Sequence, residues 1–216
     1  MFEIDKDPFR ERLNKYTITA FQMLPELDKP RILDIGCGSG VPTMELARLS
    51  NGQIIGLDTD QSLLDKLMRK IREAGLSDRV KTLKCSMFEL DFPDESFDVI
   101  WAEGSISRIG FKGGLEGWRR FLKPNGVLVV HDEIKNITNK LEQISSCGYD
   151  LLGHFILPED IWWTEYYGPL EKRINEIRIK YIDEPEVLLE RDNEQREIDM
   201  FKENPCGSVF FVMQKR

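Results

Sequence analysis

Arg31-Ile32-Leu33-Asp34-Ile35-Gly36-Cys37-Gly38-Ser39-Gly40 is the stretch on which the fold turns. Its first half is an apolar run broken by one acid. Glycines then fall at alternate positions, and Val41-Pro42-Thr43-Met44-Glu45-Leu46-Ala47 is compatible with a helix. That order predicts a buried strand, a tight turn and a helix. Glycine at 36, 38 and 40 permits positive φ and leaves no Cβ in the way of a ligand, so something flat or extended can lie against the backbone. The amides of the following helix point at the same place. Asp34 is too expensive to bury unpaired in such a strand, so either the turn's own amides satisfy it or it faces the ligand.

Spacing narrows the ligand. A dinucleotide fingerprint, G-x-G-x-x-G, requires glycine at 41, where this chain has Val41. About twenty residues on, Ile54-Ile55-Gly56-Leu57-Asp58 is a second apolar run ending in an acid, a position from which a carboxylate accepts hydrogen bonds from ribose hydroxyls. Both patterns predict a ribose-bearing cofactor, and Val41 argues against a nicotinamide dinucleotide.

With Leu33-Asp34-Ile35-Gly36-Cys37-Gly38-Ser39-Gly40 followed by Asp58, the chain resembles the class I S-adenosylmethionine-dependent methyltransferases. Within them it looks like the ubiquinone/menaquinone-biosynthesis-like (type 11) group. The resemblance is close over residues 30–155 and loose at the last strand. It implies an α/β fold, a Rossmann-like doubly wound, mostly parallel seven-stranded sheet with an antiparallel last strand and helices on both faces. It also implies S-adenosyl-L-methionine as cofactor, S-adenosyl-L-homocysteine as product, no metal, and a small-molecule methyl acceptor. Carried onto this sequence, the cofactor residues are Asp34, Gly36, Cys37, Gly38, Gly40, Asp58, Thr59, Ser86, Met87 and Glu103. Many relatives place aspartate where Ser86 stands. A serine hydroxyl still accepts a hydrogen bond from an adenine amino group, and the Met87 amide reaches a ring nitrogen.

Composition bounds the rest. The 216 residues suit one α/β domain, 1–216, and 41% hydrophobic residues supply a sizeable core. With 30 basic and 38 acidic residues the net charge is −8, and the densest basic group, Arg119-Arg120 with Lys123, reads as a solvated helix face. No nucleic-acid partner is expected. The first residues are charged and lack the apolar core of a signal peptide, and no apolar run approaches ~18 residues, so no membrane association is expected. Cys37, Cys85, Cys147 and Cys206 stand singly without metal-ligand spacing, which suits a reduced, cytoplasmic protein. No feature sets an oligomeric state.

Along the chain, apolar periodicity predicts an N-terminal helix over 8–28 that ends near Pro25. It either covers the cofactor and substrate entrance or packs on the sheet edge. Strands are expected at 53–58, 79–85, 97–102, 127–133 and 149–157. Helices fall between them, and Lys123-Pro124-Asn125-Gly126 is read as a turn. His154, among apolar neighbours, is read as core. A helical insertion, 158–204, precedes the last strand and opens with Trp162, Trp163, Tyr166 and Tyr167. It is either a cap over a substrate pocket or a segment anchored by those aromatics.

Methyl transfer is an in-line displacement, so the protein chiefly positions the partners and excludes water. A base is needed only where the nucleophile carries a proton. Glu103, His131 and Asp132, at predicted strand ends, are the candidates; Glu103 and His131 are preferred. The expected substrate contacts are Ser105, Trp163, Tyr166 and Tyr167. Two rivals remain at this point, a nicotinamide-dependent oxidoreductase and a non-catalytic cofactor-binding module.

Overall fold

A computed structural model describes residues 4–180 and 185–216. In chain order the strands are β1 (Arg31–Ile35), β2 (Gln53–Asp58), β3 (Val80–Lys84), β4 (Phe97–Glu103), β5 (Leu122–Glu133), β6 (Tyr149–Leu157) and β7 (Ser208–Lys215). The helices are α1 (Asp7–Arg10), α2 (Asn14–Phe21), α3 (Val41–Leu49), α4 (Gln61–Glu73), α5 (Phe111–Trp118), α6 (Ile137–Ser146), α7 (Glu159–Trp162), α8 (Gly168–Lys180) and α9 (Pro185–Glu203).

Runs such as Ile32 to Ile35 and Val127 to Asp132 are buried without a break, the mark of strands covered on both faces. They assemble into a seven-stranded sheet of order β3-β2-β1-β4-β5-β7-β6. The β1–β2, β1–β4, β2–β3 and β4–β5 pairs are parallel, and the last strands run antiparallel. The expected doubly wound, mostly parallel sheet is therefore present. Its strand order reverses between β1 and β4, and the carboxyl ends of those strands are where ligands of such sheets bind.

Register decides which side chains share a face. Leu33 pairs with Ile100 and Ile100 with Leu128, and these belong to the large apolar cluster that α5 and α6 complete with Leu115, Trp118 and Ile144. Alternation sends the intervening residues to the other face. Asp34 pairs with Trp101, and Glu103 with His131, so these four point away from that cluster, toward the face where α3 and α4 pack.

Three local expectations differ. The N-terminal helix is α1, a 3-10 turn at Glu11–Leu13, and α2, with Leu13, Thr17 and Ala20 buried along it. It stops at Phe21 rather than 28, because Met23 and Leu24 close it with bonds to Ala20 and Phe21 and the residue before Pro25 is barred from helical geometry. Lys123-Pro124-Asn125-Gly126 lies inside β5, looped out opposite Asp98 between the pairs Phe97–Leu122 and Val99–Val127, with Asn125 at φ 61°. His154 is exposed, since β6 is the edge strand and its residues Asp150, Leu152, His154 and Ile156 all face outward.

The chain divides into two compact units, Asn14–Ile156 with Val209–Arg216, and Leu157–Ser208 with the residues before Asn14. The second contains α1, α7, a π-helical turn at Trp163–Tyr167, α8 and α9. Within the predicted 158–204 insertion, residues 181–184 lie outside the described residues. Lys6 bridges Glu194 at 3.0 Å and Glu197 at 3.6 Å. Burial pulls its ammonium pKa down, but those carboxylates outweigh burial and leave it raised.

Candidate active site

The turn after β1 is held mostly by backbone. Gly36 and Cys37 donate to the Leu57 carbonyl at 2.8 and 2.9 Å, and Gly40 donates to the Cys37 carbonyl at 2.9 Å. The three glycines have φ of 73°, 54° and 84°. Their lack of a Cβ serves different ends. At 36 a Cβ would come within 2.5 Å of the Ser105 Cβ, and at 40 within 2.2 Å of Leu67 Cδ1; at 38 it would meet nothing within 4 Å. The outer two allow the turn to pack, and the middle one faces open space.

Two carboxylates brace this turn. Asp34 is almost fully buried, and the Thr43 hydroxyl from the first turn of α3 donates to its Oδ2 at 2.6 Å. Asp58, at the end of β2, accepts the Gly38 amide on Oδ2 at 2.9 Å and the Asp60 amide on Oδ1 at 3.0 Å. It therefore shapes the turn. Thr59 follows, exposed. Asp60 caps α4 by accepting the amides of Ser62 at 2.8 Å and Leu63 at 3.4 Å, and the bond from the Ser62 hydroxyl is the first cause of its lowered carboxyl pKa. The Cys37 thiol is buried, which pushes its pKa well up, and Asp34 and Asp58 add to the shift.

Ser86 and Met87 stand half-buried just beyond β3, next to this rim; the Cys85 amide donates to the Asp58 carbonyl at 3.1 Å. The Ser86 hydroxyl accepts the Phe88 amide at 3.3 Å, which fixes the loop's first turn.

The second rim, at β4 and β5, is built from side chains. Glu103 Oε1 accepts from Trp101 Nε1 at 2.7 Å and from Thr17 Oγ1 of α2 at 2.9 Å. Its neighbour His131 is buried and stacks on Phe210, with centroids 4.2 Å apart and planes 8° from parallel. The Gly104 amide donates to the His131 carbonyl at 2.9 Å, locking the strand ends together. Ser105 is buried under Gly36, and its hydroxyl donates to the Ile35 carbonyl at 2.6 Å. Asp132 does not join this group. One residue beyond His131 it points to the opposite face, where Lys140 of α6 holds it at 2.6 Å.

Trp163, Tyr166 and Tyr167 belong to the helical unit. Lys202 Nζ sits 5.2 Å from the Trp163 ring centroid, Tyr166 is buried, and Tyr167 stacks on Phe201 at 4.3 Å. Burial, with Glu197 next, pushes both tyrosine hydroxyl pKa values up.

Sequence reasoning missed Thr43, Thr17 and Trp101. Thr17 carried a faint signal: it shares the apolar stripe of Leu13 and Ala20, where a polar residue needs a partner. Among the described residues no cluster of His, Cys, Asp or Glu could hold a metal, and no helix is long and apolar enough to cross a membrane.

Residues 32–126 match the family described as "Methyltransferase domain". Sterol 24-C-methyltransferase of Eremothecium gossypii is 35% identical over 102 residues, 47% of this chain and 27% of that protein. A SAM-dependent methyltransferase of Geobacter sulfurreducens, solved with S-adenosyl-L-homocysteine, superposes with TM-score 0.76 at 18% identity, covering 100% of both chains. The [4+2]-cyclase SpnF gives TM-score 0.76 at 22% identity over 94% of this chain and 80% of its own. The chain spans less than half the length of the curated relatives it matches.

Proposed function

We propose that this chain, whose residues 32–126 match the methyltransferase domain family, binds S-adenosyl-L-methionine on the β1–β2 rim and transfers its methyl group to a small-molecule acceptor. The observation that carries the reading is the Gly38 cradle, open where a Cβ would sit and closed at its side by Asp58. A cofactor with an adenosine and an amino-acid end fits such a site: Asp58 accepts from ribose hydroxyls, Ser86 and the Met87 amide meet the base, and the glycine turn, braced from within by Asp34 and Thr43, lines the chain between them. Glu103 closes the set at the switch point.

When bound, the cofactor supplies a methyl group on a positively charged sulfur. The acceptor's lone pair forms the new bond as the carbon–sulfur bond breaks, and the electron pair of that bond stays on sulfur. Where the acceptor carries a proton, the Glu103 carboxylate takes it, with His131 beside it on the same face. A cation over aromatic rings gains about 0.5–2 kcal/mol, and the acceptor contacts expected on the helical unit, Trp163, Tyr166 and Tyr167, are a proposal of their own; Ser105, buried under Gly36, serves the turn. Membership of the quinone-biosynthesis-like group is part of this proposal. So does a cytoplasmic location, supported by four free cysteines.

The second reading is a module that binds S-adenosyl-L-methionine without transferring its methyl group. Incubation with methyl-labelled cofactor and a panel of amine, hydroxyl, thiol and carbon acceptors separates the two. Labelled product with stoichiometric S-adenosyl-L-homocysteine is expected; tight cofactor binding without label in any acceptor supports the second reading.

A further inference from the structure

We infer that Thr17 and Trp101 are positioning residues for Glu103, so that helix α2 is part of the transfer site and not only a cover for the sheet. The inference rests on the methyltransferase reading and assigns the acceptor to the class that carries a proton on its nucleophilic atom. Two donors converge on one oxygen: the indole N–H of Trp101 at 2.7 Å and the Thr17 hydroxyl at 2.9 Å, both on Glu103 Oε1. Trp101 and Thr17 are fully buried, with relative exposure of 0% each. An indole nitrogen only donates, so the oxygen it meets is held as an acceptor and the carboxylate plane is fixed.

The donors come from different elements. Trp101 lies two residues earlier on β4 and shares its face, whereas Thr17 lies 86 residues away in sequence on α2. A carboxylate needed only for solubility at a strand end would have no use for two buried donors. One that must receive a proton along a fixed line gains from being held, because a misplaced base loses rate steeply. In the step, the acceptor atom bonds to the methyl carbon, the carbon–sulfur bond breaks with its electrons going to sulfur, and the acceptor's proton passes to the Glu103 carboxylate.

The test combines kinetics with an activity-independent readout on the full chain. Glu103→Gln should lower kcat by about 100-fold or more, the usual range for removal of a general base. Thr17→Val should lower kcat about 10-fold with KM for the cofactor within about twofold, and Thr17→Ser should restore it. The double variant should be no slower than Glu103→Gln alone, since the hydroxyl acts through the carboxylate. In nitrogen-15 spectra, the indole resonance that Trp101→Phe removes should move in both Glu103→Gln and Thr17→Val, whatever the reaction. Losses that multiply in the double variant, wild-type kcat in Glu103→Gln, or a Trp101 resonance unmoved by either change would each overturn the inference. If the wild type binds the cofactor and methylates no acceptor, the methyltransferase reading falls, and this assignment of Glu103 as proton acceptor falls with it. A moved Trp101 resonance would then leave only the hydrogen-bond geometry standing.

Discussion

The two rims that meet at the switch point are built in opposite ways. The β1–β2 rim is mostly backbone: three positive-φ glycines, amides donating to Leu57 and Cys37 carbonyls, and Asp58 pinning the Gly38 amide. The β4–β5 rim is side-chain work, with Glu103 gripped by Trp101 and Thr17 and His131 laid flat on Phe210. A ligand common to a whole family is best met by backbone amides, which every residue but proline carries. A ligand peculiar to one protein is met by side chains that can change. On this account the first rim holds the cofactor and the second governs the acceptor and its chemistry.

The comparison breaks most visibly where a group is buried for the fold alone. Lys140→Met would strand Asp132 on the face opposite the site, and leaving a part-buried polar group unsatisfied costs about 1–3 kcal/mol. Denaturant unfolding should register that loss, with cofactor affinity unchanged under native conditions. If affinity falls as well, the two faces are coupled and the division between them is wrong.

Within the first rim the glycines should separate. Gly36→Ala and Gly40→Ala combine a left-handed backbone with a Cβ forced against Ser105 or Leu67, and should weaken cofactor binding on the order of 100-fold. Gly38→Ala bears only backbone strain in the ligand-free protein, about 1–2 kcal/mol, so its ligand-free melting temperature should fall least, yet its Cβ enters the open cradle and cofactor affinity should fall as well. Equal losses of ligand-free stability at all three positions would remove the distinction between packing glycines and the open one.

Asp58→Asn sharpens the dual role of that residue. The variant keeps the shape but weakens charge-assisted bonds worth about 1.5–3 kcal/mol each, so affinity should fall about 10-fold or more. The melting temperature of the ligand-free protein should also drop, because the Gly38 amide loses its carboxylate. An unchanged ligand-free melting temperature would leave Asp58 with the ribose alone.

The smallest effect concerns Asp60. Its carboxyl pKa is lowered in the folded protein by the bonds from Ser62, so its contribution is present above the unfolded value near 3.9 and is lost as pH falls through the lower folded value. Asp60 is exposed, so the change is slight. Melting curves of Asp60→Ala should lie a little below wild type at neutral pH and converge with it below about pH 4.

The same contrast explains what the sequence revealed. Glycine spacing and the acid at the end of the next strand are local signals, and they led to the turn, Asp34, Asp58 and the sheet. The Glu103 assembly was half visible: its strand-end position marked it, but Thr17 reaches it across 86 residues and no local pattern records that contact. Asp132 and His131 are adjacent in sequence, and only the β4–β5 register tells which one faces the site. His154 was misread because an apolar run on an edge strand has the same composition as one in the interior. The N-terminal helix ran too long on paper because periodicity outlasted the hydrogen bonds that Pro25 prevents.

One measurement bears on the central claim most directly: calorimetric titration of the protein with S-adenosyl-L-methionine, S-adenosyl-L-homocysteine and NADH, repeated on Gly36→Ala. Micromolar binding of both adenosyl compounds, lost in the variant and absent for NADH, is the predicted result. Binding of NADH alone, or of none of the three, would contradict the account.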